Sequence, residues 1–394
     1  MKKETGNNNH NKRLSSGHDR VSGIMAYIEF LRFCLSEDED LPDSAATINW
    51  SDMFEFADDQ CIIGVLFHGI KRLKAGNPHP SPRELARWGV TSQAIADTNR
   101  QVYDDASKSI RIIYKRYRHK SSLLKGQGNA LMYPDPYMRQ SGDIDLWVLP
   151  NDGETVTDII KLCREIEPSC KLEYHHADVH LPVKTDVELH YRPSFIENLF
   201  YNHRLQLYFE HIKPEQLCNI VKLPDGSGML SVPDDSFNRI FQLSHIMKHF
   251  LFEGIGLRQI IDYYYLLRRG ASSKEKKKFE HDAKRLGMWK FARGLMYVLN
   301  HYLGLDECYL LAPADKRLGK FMMDEIIATG NFGFSDKRFS NMKSKHSTTN
   351  ALFSIVKGLR FIMEFPAEAL FGHSTWILWW HFYYRRKMER SLSK

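Results

Sequence analysis

Arg139-Gln140-Ser141-Gly142-Asp143-Ile144-Asp145-Leu146-Trp147-Val148 is the stretch whose reading decides the fold. It describes a turn that feeds two aspartates onto the start of a buried strand. Alternate side chains of a strand share one face, so Asp143 and Asp145 point one way while Ile144 and Leu146 enter apolar packing on the other. Two like charges at that spacing repel, and a hard divalent cation with oxygen ligands is their natural neutraliser. In a bare Asp-X-Asp, one aspartate commonly caps a turn and the other stays in solvent. Here the context favours chemistry. A glycine bends the backbone, an apolar run follows, and a second strand-like segment, Val183 to His190, places Asp186, Glu188 and His190 on one face against Val187 and Leu189. Asp186 and Glu188 compete as a third carboxylate.

Before this stretch, periodicity predicts helices. Ile24, Met25, Ile28, Leu31 and Leu35 recur at helical spacing, followed by the acidic run Glu37 to Asp40. A second amphipathic helix is expected from about Trp50 to Leu73. Prolines at 78, 80 and 82 interrupt the chain, and Ser81-Pro82-Arg83-Glu84 restarts helix. One or two helices then run from about Ser92 to Leu124. They end in a basic cluster (Arg111, Lys115, Arg116, Arg118, His119, Lys120) that reads either as a solvated helix end or as an attractor of phosphates. Lys125-Gly126-Gln127-Gly128 follows. Its glycines allow backbone N–H groups close to an anion and the lysine adds charge, although the Gly-Lys-Ser/Thr spacing of a Walker loop is absent.

After it, Pro150 to Glu154 opens a helix running to about Ile166, which makes a strand-helix-strand unit. Glu173 to His180 alternates like a strand; in that form His176 and His180 share a face but lie ~13 Å apart, too far for a shared zinc ion. These histidines read better as an edge of the substrate cleft or as buried structural groups. Asp234 offers an N-cap for a helix through Phe250, on which His245, His249 and Glu253 share a face without the His-Glu-X-X-His order of a zinc protease. Basic residues from Arg268 to Lys278 straddle a turn and lack the aromatic platform of a nucleic-acid site, so nucleic acid is not the favoured partner. Another amphipathic helix covers 286 to 304. Gly330 to Thr349, with Phe332, Phe334 and Phe339 among basic residues, reads as a mobile loop over the site. The aromatic run Trp376 to Tyr384, followed by Arg385, Arg386 and Lys387, is too short to span a bilayer. It suits either a membrane interface or docking onto the helical body or a partner subunit.

A chain of 394 residues with 43% hydrophobic content can bury a large core. Its net charge of +7 is thinly spread and only weakly favours anionic partners. Six cysteines show neither a CxxC pair nor finger spacing, and the polar opening, residues 1 to 20, lacks the apolar block of a signal peptide. A cytoplasmic location with reduced thiols and a disordered N-terminal tail are the expectations.

The ordered blocks Leu123-Leu124-Lys125-Gly126, Tyr133-Pro134 with Arg139, Gly142 to Val148, Val187-Glu188-Leu189-His190 and Gly254 to Asp262 resemble the uncharacterised bacterial nucleotidyltransferases of the polymerase-beta-like superfamily. Where that superfamily has Gly-Ser before Asp-X-Asp, this chain has Lys125-Gly126-Gln127, and the serine's phosphate contact has no evident owner. The resemblance implies that Asp143, Asp145 and Glu188 are catalytic and hold one or two Mg2+ ions, with Mn2+ as an alternative. It also implies that Lys125, Gly126, Arg139, Gly142 and Arg258 contact a nucleoside triphosphate, ATP foremost, and that Gln259 and Asp262 face the cleft. As a helical aspartate near arginine, Asp262 reads alternatively as a cap or as the partner of a neighbouring arginine.

The expected fold is α+β: a small mixed sheet within a core spanning 121–233, framed by helical regions at 21–120 and 234–394. The expected activity is transfer of a nucleoside monophosphate to an unidentified acceptor, with release of pyrophosphate. Two other classes stay open. One is a metal-dependent glycosyltransferase, which also uses Asp-X-Asp. The other is a nucleotide-binding scaffold without turnover.

Overall fold

The computed structural model describes residues 17–36, 39–212, 219–224, 226, 228–333, 336, 338 and 357–392. The acidic run's first two residues, most of the N-terminal tail, Cys218, Phe334, Phe339 and most of the rest of the expected 330–349 loop lie outside them. The architecture is α+β. Helices α1 (Gly17–Leu35), α2 (Trp50–Asp59) and α3 (Ile63–Ile70) precede α4 (Pro82–Tyr117). The single helix expected over 50–73 is two, because the chain turns at Cys61, which has φ of 56°. Helix α4 begins with a reciprocal capping box between Ser81 and Glu84 and with Pro82 in its first turn, and it stops where Arg118 turns left-handed.

The main sheet comprises β1 (Ser121–Leu123), β2 (Ile144–Val148), β3 (His176–Val179) and β4 (Val187–His190), in the order β1-β2-β4-β3. Between β1 and β2 lies the single turn α5 (Gln127–Ala130); α6 (Val156–Ile166) carries the chain from β2 toward the far edge. Strands β2 and β4 are parallel and both flanking pairs antiparallel. One face of the sheet, with Ile144, Leu146, Val148, Val187, Leu189, Ala177 and Val179, packs on Val102, Ala106 and Ile113 of α4 and on Ile159, Ile160 and Cys163 of α6. That packing fixes the strand register, since a slip of one residue would turn the carboxylates into the apolar layer against α4 and α6.

The opposite face meets a helical body. After α7 (Leu199–Ile212) and the hairpin β5 (Ile220–Lys222) and β6 (Met229–Ser231), helices α8 (Asp235–Phe252) and α9 (Leu257–Arg268) pack side by side. They are followed by α10 (Ser273–Arg285), α11 (Trp289–Tyr297) and α12 (Lys316–Thr329). Asp234 caps α8 by accepting from Phe237 N at 2.8 Å. Trp147, on the carboxylate face of β2, stacks on Phe237 of α8 with centroids 5.4 Å apart, which locks sheet and body together. A helical segment over 368–392 returns to the sheet, where Trp376 and Trp380 are buried; Phe371, Leu378, Phe382 and Tyr383 stay exposed. Among the described residues no helix is long and apolar enough to cross a membrane.

Candidate active site

The register of β2 against β4 builds the centre. Asp145 lies opposite Glu188 and Trp147 opposite His190, so two carboxylates and an imidazole of neighbouring parallel strands share one face. The turn into β4 is pinned from α4: the buried Asp105 carboxylate oxygen Oδ2 accepts from Lys184 N at 3.1 Å, Thr185 N at 3.0 Å and Thr185 Oγ1 at 2.8 Å. Asp186 is exposed, and its carbonyl accepts from Ile144 N at 2.9 Å. Glu188 is thus the one of the two competing carboxylates that faces Asp145.

Asp145 is 1% exposed and its Oδ1 collects two cations: Lys125 Nζ at 2.8 Å and His190 Nε2 at 2.9 Å. His190 Nε2 also lies 3.2 Å from Glu188 Oε2, and His176 Nδ1 lies 3.2 Å from that same oxygen. Burial works against the Asp145 charge, but Lys125 and then His190 outweigh it and hold the carboxyl below the usual carboxylate range. For Glu188 burial wins and pushes the carboxyl up. Burial opposes a proton on His190, and hydrogen bonds to Asp145 and Glu188 overcome that, raising it. Lys125 likewise stays charged against burial through Asp145, Asp143 and Glu188.

One ligand atom from each of Asp145, Glu188 and His190 lies within 4.8 Å of the other two, a donor set that suits a divalent cation. Two carboxylates fit Mg2+; the imidazole could join them only on giving up the proton it holds between them, and would then make the set more congenial to Mn2+. Asp143 stands just before β2, half-buried and outside the converging sets of ligand atoms found among the described residues, though its charge bears on both Lys125 and Arg258.

Asp143 and Asp145 line a cavity of about 360 Å³ whose walls include Lys125, Gly126, Arg139, Gly142 and Arg258. Every nucleotide-contact residue expected from the sequence is therefore on it, but their roles differ. Gly126 has φ of 60° and ψ of −114°, a backbone state open to glycine, and a Cβ there would sit 3.5 Å from Asp143 O. Gly142 has open space around it. Arg139 is buried and forms a two-pronged pair with Asp262, Nε to Oδ1 at 2.7 Å and Nη2 to Oδ2 at 2.8 Å. Tyr133 Oη and Asn129 Nδ2 also donate to Asp262, at 2.7 and 3.2 Å. Arg258 Nη1 donates to Gln140 O at 3.0 Å, while its Nε is buried without a partner, as are Gln140 Oε1 and Gln259 Oε1 on the same cavity. Unpaired buried donors and acceptors of this kind call for a polar ligand.

The wall opposite the sheet comes from α8 and from Asn331 and Phe332. Gly254 (φ 113°) and Gly256 allow that segment to approach: a Cβ on Gly254 would meet Gly333 N at 2.6 Å. The rings of His245 and His249 meet at 4.3 Å, and His249 Nδ1 pairs with Glu253 Oε2 at 2.6 Å, so this face forms an internal pair rather than a converging ligand set. His180 is exposed and pairs with Glu167, far from the role of a zinc partner for His176. The residues that sequence reasoning left out of the site, Asn129, Tyr133 and Gln242, are its buried polar scaffold. His190 carried a visible signal, lying two positions past Glu188 on the same face.

The family model described as uncharacterised nucleotidyltransferase matches residues 46–304. The chain belongs to this family. No curated protein matches. Among solved structures, an antigenic nucleotidyltransferase-like protein from Paracoccidioides brasiliensis is similar at 11% identity with a TM-score of 0.32, over 55% of this chain and 96% of that one. The match over 46–304 takes in α2 through α11, and with them the sheet, the carboxylates and Arg258.

Proposed function

We propose that this nucleotidyltransferase-family chain transfers a nucleoside monophosphate from a nucleoside triphosphate, ATP foremost, to an acceptor hydroxyl, with a divalent cation held by Asp145 and Glu188. The observation that carries the reading is Asp145 itself: it lines a cavity with Lys125 and the half-free Arg258 guanidinium, and it lies in register with Glu188 on the adjacent strand. In the reaction the acceptor oxygen bonds to the α-phosphorus, the bond to the β-phosphate oxygen breaks, pyrophosphate leaves, and the acceptor proton passes to solvent. Such a displacement depends on positioning and charge neutralisation rather than on a covalent protein nucleophile. A bound divalent cation supplies charge neutralisation for the attacking and leaving oxygens.

The residues of the chain divide the remaining work. Lys125 is held beside Asp145 and adds positive charge where phosphates would lie. Arg258 offers its unpaired Nε to a phosphate oxygen. The Gly126 turn brings backbone close without a side chain, taking the place of the superfamily's Gly-Ser. His190 aligns Asp145 and Glu188 through its bonds to both. The test is binding of Mn2+, followed by its electron paramagnetic resonance, with and without α,β-methylene-ATP, in the intact protein and in Asp145→Asn. The reading expects a bound-Mn2+ spectrum that changes on adding nucleotide and is lost in the variant; equal Mn2+ binding by both proteins would contradict it.

A further inference from the structure

A second cavity, of about 600 Å³, lies behind the acidic centre and shares no lining residue with the first. Its walls come from β3 and the segment before it, from Phe195 and Glu197, from Lys248 and Glu253 near the end of α8, and from the 368–392 segment. The link between the two cavities is short: Asp145, on the first, bonds His190; His190 bonds Glu188; and Glu188 Oε2 lies 3.2 Å from Nδ1 of His176, which lines the second. We propose that this cavity is the acceptor site of the transfer reaction, and that it takes a neutral polyhydroxylated molecule of mono- to disaccharide size. The inference rests on the nucleotidyl-transfer reading for its reaction, and on the cavity's own chemistry for its ligand.

Three observations set the class. First, the walls are aromatic: Trp376 stacks on Phe195 at 4.7 Å and 15°, and Tyr174 meets Trp376 edge-on at 4.9 Å and Trp380 at 6.0 Å. Phe195 and Trp376 turn faces to each other, as Trp380 does to Tyr384, so the cavity is offered an apolar wall of ring edges that suits the C–H side of a sugar. Second, the wall charges are already matched in pairs, Lys171 with Glu173 at 2.7 Å, Lys248 with Glu253 at 3.6 Å, and Arg385 with Glu389 at 3.2 Å. Lys248 also sits 4.7 Å over the Phe195 ring, so that ring's cation position is taken. A strongly anionic or cationic ligand would have to break these pairs, whereas hydroxyl groups can join them. Third, two buried imidazole nitrogens on the wall, His175 Nδ1 and His373 Nε2, have no hydrogen-bond partner, while Glu197 Oε2 holds His373 Nδ1 at 2.5 Å. Neutral hydroxyls, each both donor and acceptor, suit such sites. The volume falls in the range of small-molecule sites and admits one or two sugar rings.

The test uses the full chain with Mn2+ and α,β-methylene-ATP, titrated with glucose, N-acetylglucosamine, trehalose and sucrose while tryptophan fluorescence is followed. The expected result is a saturable change with at least one sugar. That response should weaken about tenfold in Trp380→Ala and return to near the parent value in Trp380→Phe, with nucleotide binding unchanged in both. Failure of all four sugars to bind while the nucleotide still binds overturns the inference and leaves nucleotidyl transfer standing. Sugar binding that is indifferent to Trp380→Ala places the sugar elsewhere and overturns it too. Sugar binding at this cavity with no nucleotide binding overturns the acceptor role and the transfer reading together. In turnover with α-labelled ATP, label on the bound sugar supports the inference, and label on protein or RNA alone overturns it.

Discussion

Asp262→Asn is the change that most sharply separates scaffold from ligand-binding roles in this site. The Asp262 carboxylate is buried and accepts from Arg139 twice, from Tyr133 and from Asn129. Asparagine keeps the shape but offers one acceptor oxygen and no charge, which leaves the Arg139 guanidinium buried without its counter-ion. Breaking one partner of such a pair costs ~3 to 5 kcal/mol, because the desolvated charge left behind has nothing to offset it. Replacing both partners, as Arg139→Met with Asp262→Leu, removes that charge; the remaining cost is the unpaired Tyr133 hydroxyl and Asn129 amide, ~1 to 3 kcal/mol each. The double variant should therefore be less destabilised than the sum of the single variants by at least about 2 kcal/mol. Urea unfolding of the parent, Arg139→Met, Asp262→Leu and the double variant, followed by circular dichroism, gives the cycle, with Asp262→Asn measured beside them. A loss below ~1 kcal/mol for Asp262→Asn, or strict additivity, would refute the reasoning and return Arg139 to the role of a free phosphate contact.

Gly126→Ala should cost ~1 to 3 kcal/mol through its backbone conformation and lower nucleotide affinity, whereas Gly142→Ala should change stability by less than ~0.5 kcal/mol; differential scanning of the two variants checks this. Lys125→Met should destabilise the metal-free protein, since buried Asp145 then keeps only His190 as a counter-charge, and Mn2+ should recover part of the loss; melting with and without Mn2+ reads it. Burial raises the Glu197 carboxyl above its ordinary value, so the unfolded chain ionises it first, and its contribution to stability, full below about pH 4.5, is lost as pH rises through the folded-state value. Glu197→Gln should accordingly gain relative to the parent between pH 4 and pH 7, by ~1.4 kcal/mol for each unit by which burial raises the group; an unchanged difference across that range would refute it.

Alternation made strands β2 and β4 legible, because the face packed on α4 and α6 is apolar while the opposite, also largely buried face carries the polar groups of the site, so a period of two in polarity survives in the sequence. Capping chemistry located the starts of α4 and α8 for the same local reason: Ser81 with Glu84, and Asp234, act within a single turn. Partners distant in the chain were not legible. Arg139 and Asp262 are 123 positions apart, and nothing in their neighbourhoods specified which arginine the aspartate would meet. The break at Cys61 was hidden because the apolar spacing on both sides of it fits one continuous helix, while the kink is a backbone event at a single residue. The second cavity was equally invisible: its walls come from residues near 174, 195, 248 and 376, joined only by packing. The aromatic tail shows the same limit, since spacing alone did not decide which tryptophans would dock on the sheet and which side would remain outside.

The most direct test of the central claim is transfer itself. The purified protein, Asp145→Asn and Glu188→Gln are incubated with Mn2+ or Mg2+ and each α-labelled nucleoside triphosphate, with and without cell extract, while label and pyrophosphate are followed. The account predicts covalent label on an acceptor together with one pyrophosphate per label, in the parent protein only. Loss of a sugar from UDP-glucose, with no label moved from any triphosphate, would contradict it in favour of glycosyl transfer; equal labelling by all three proteins would remove Asp145 and Glu188 from the reaction.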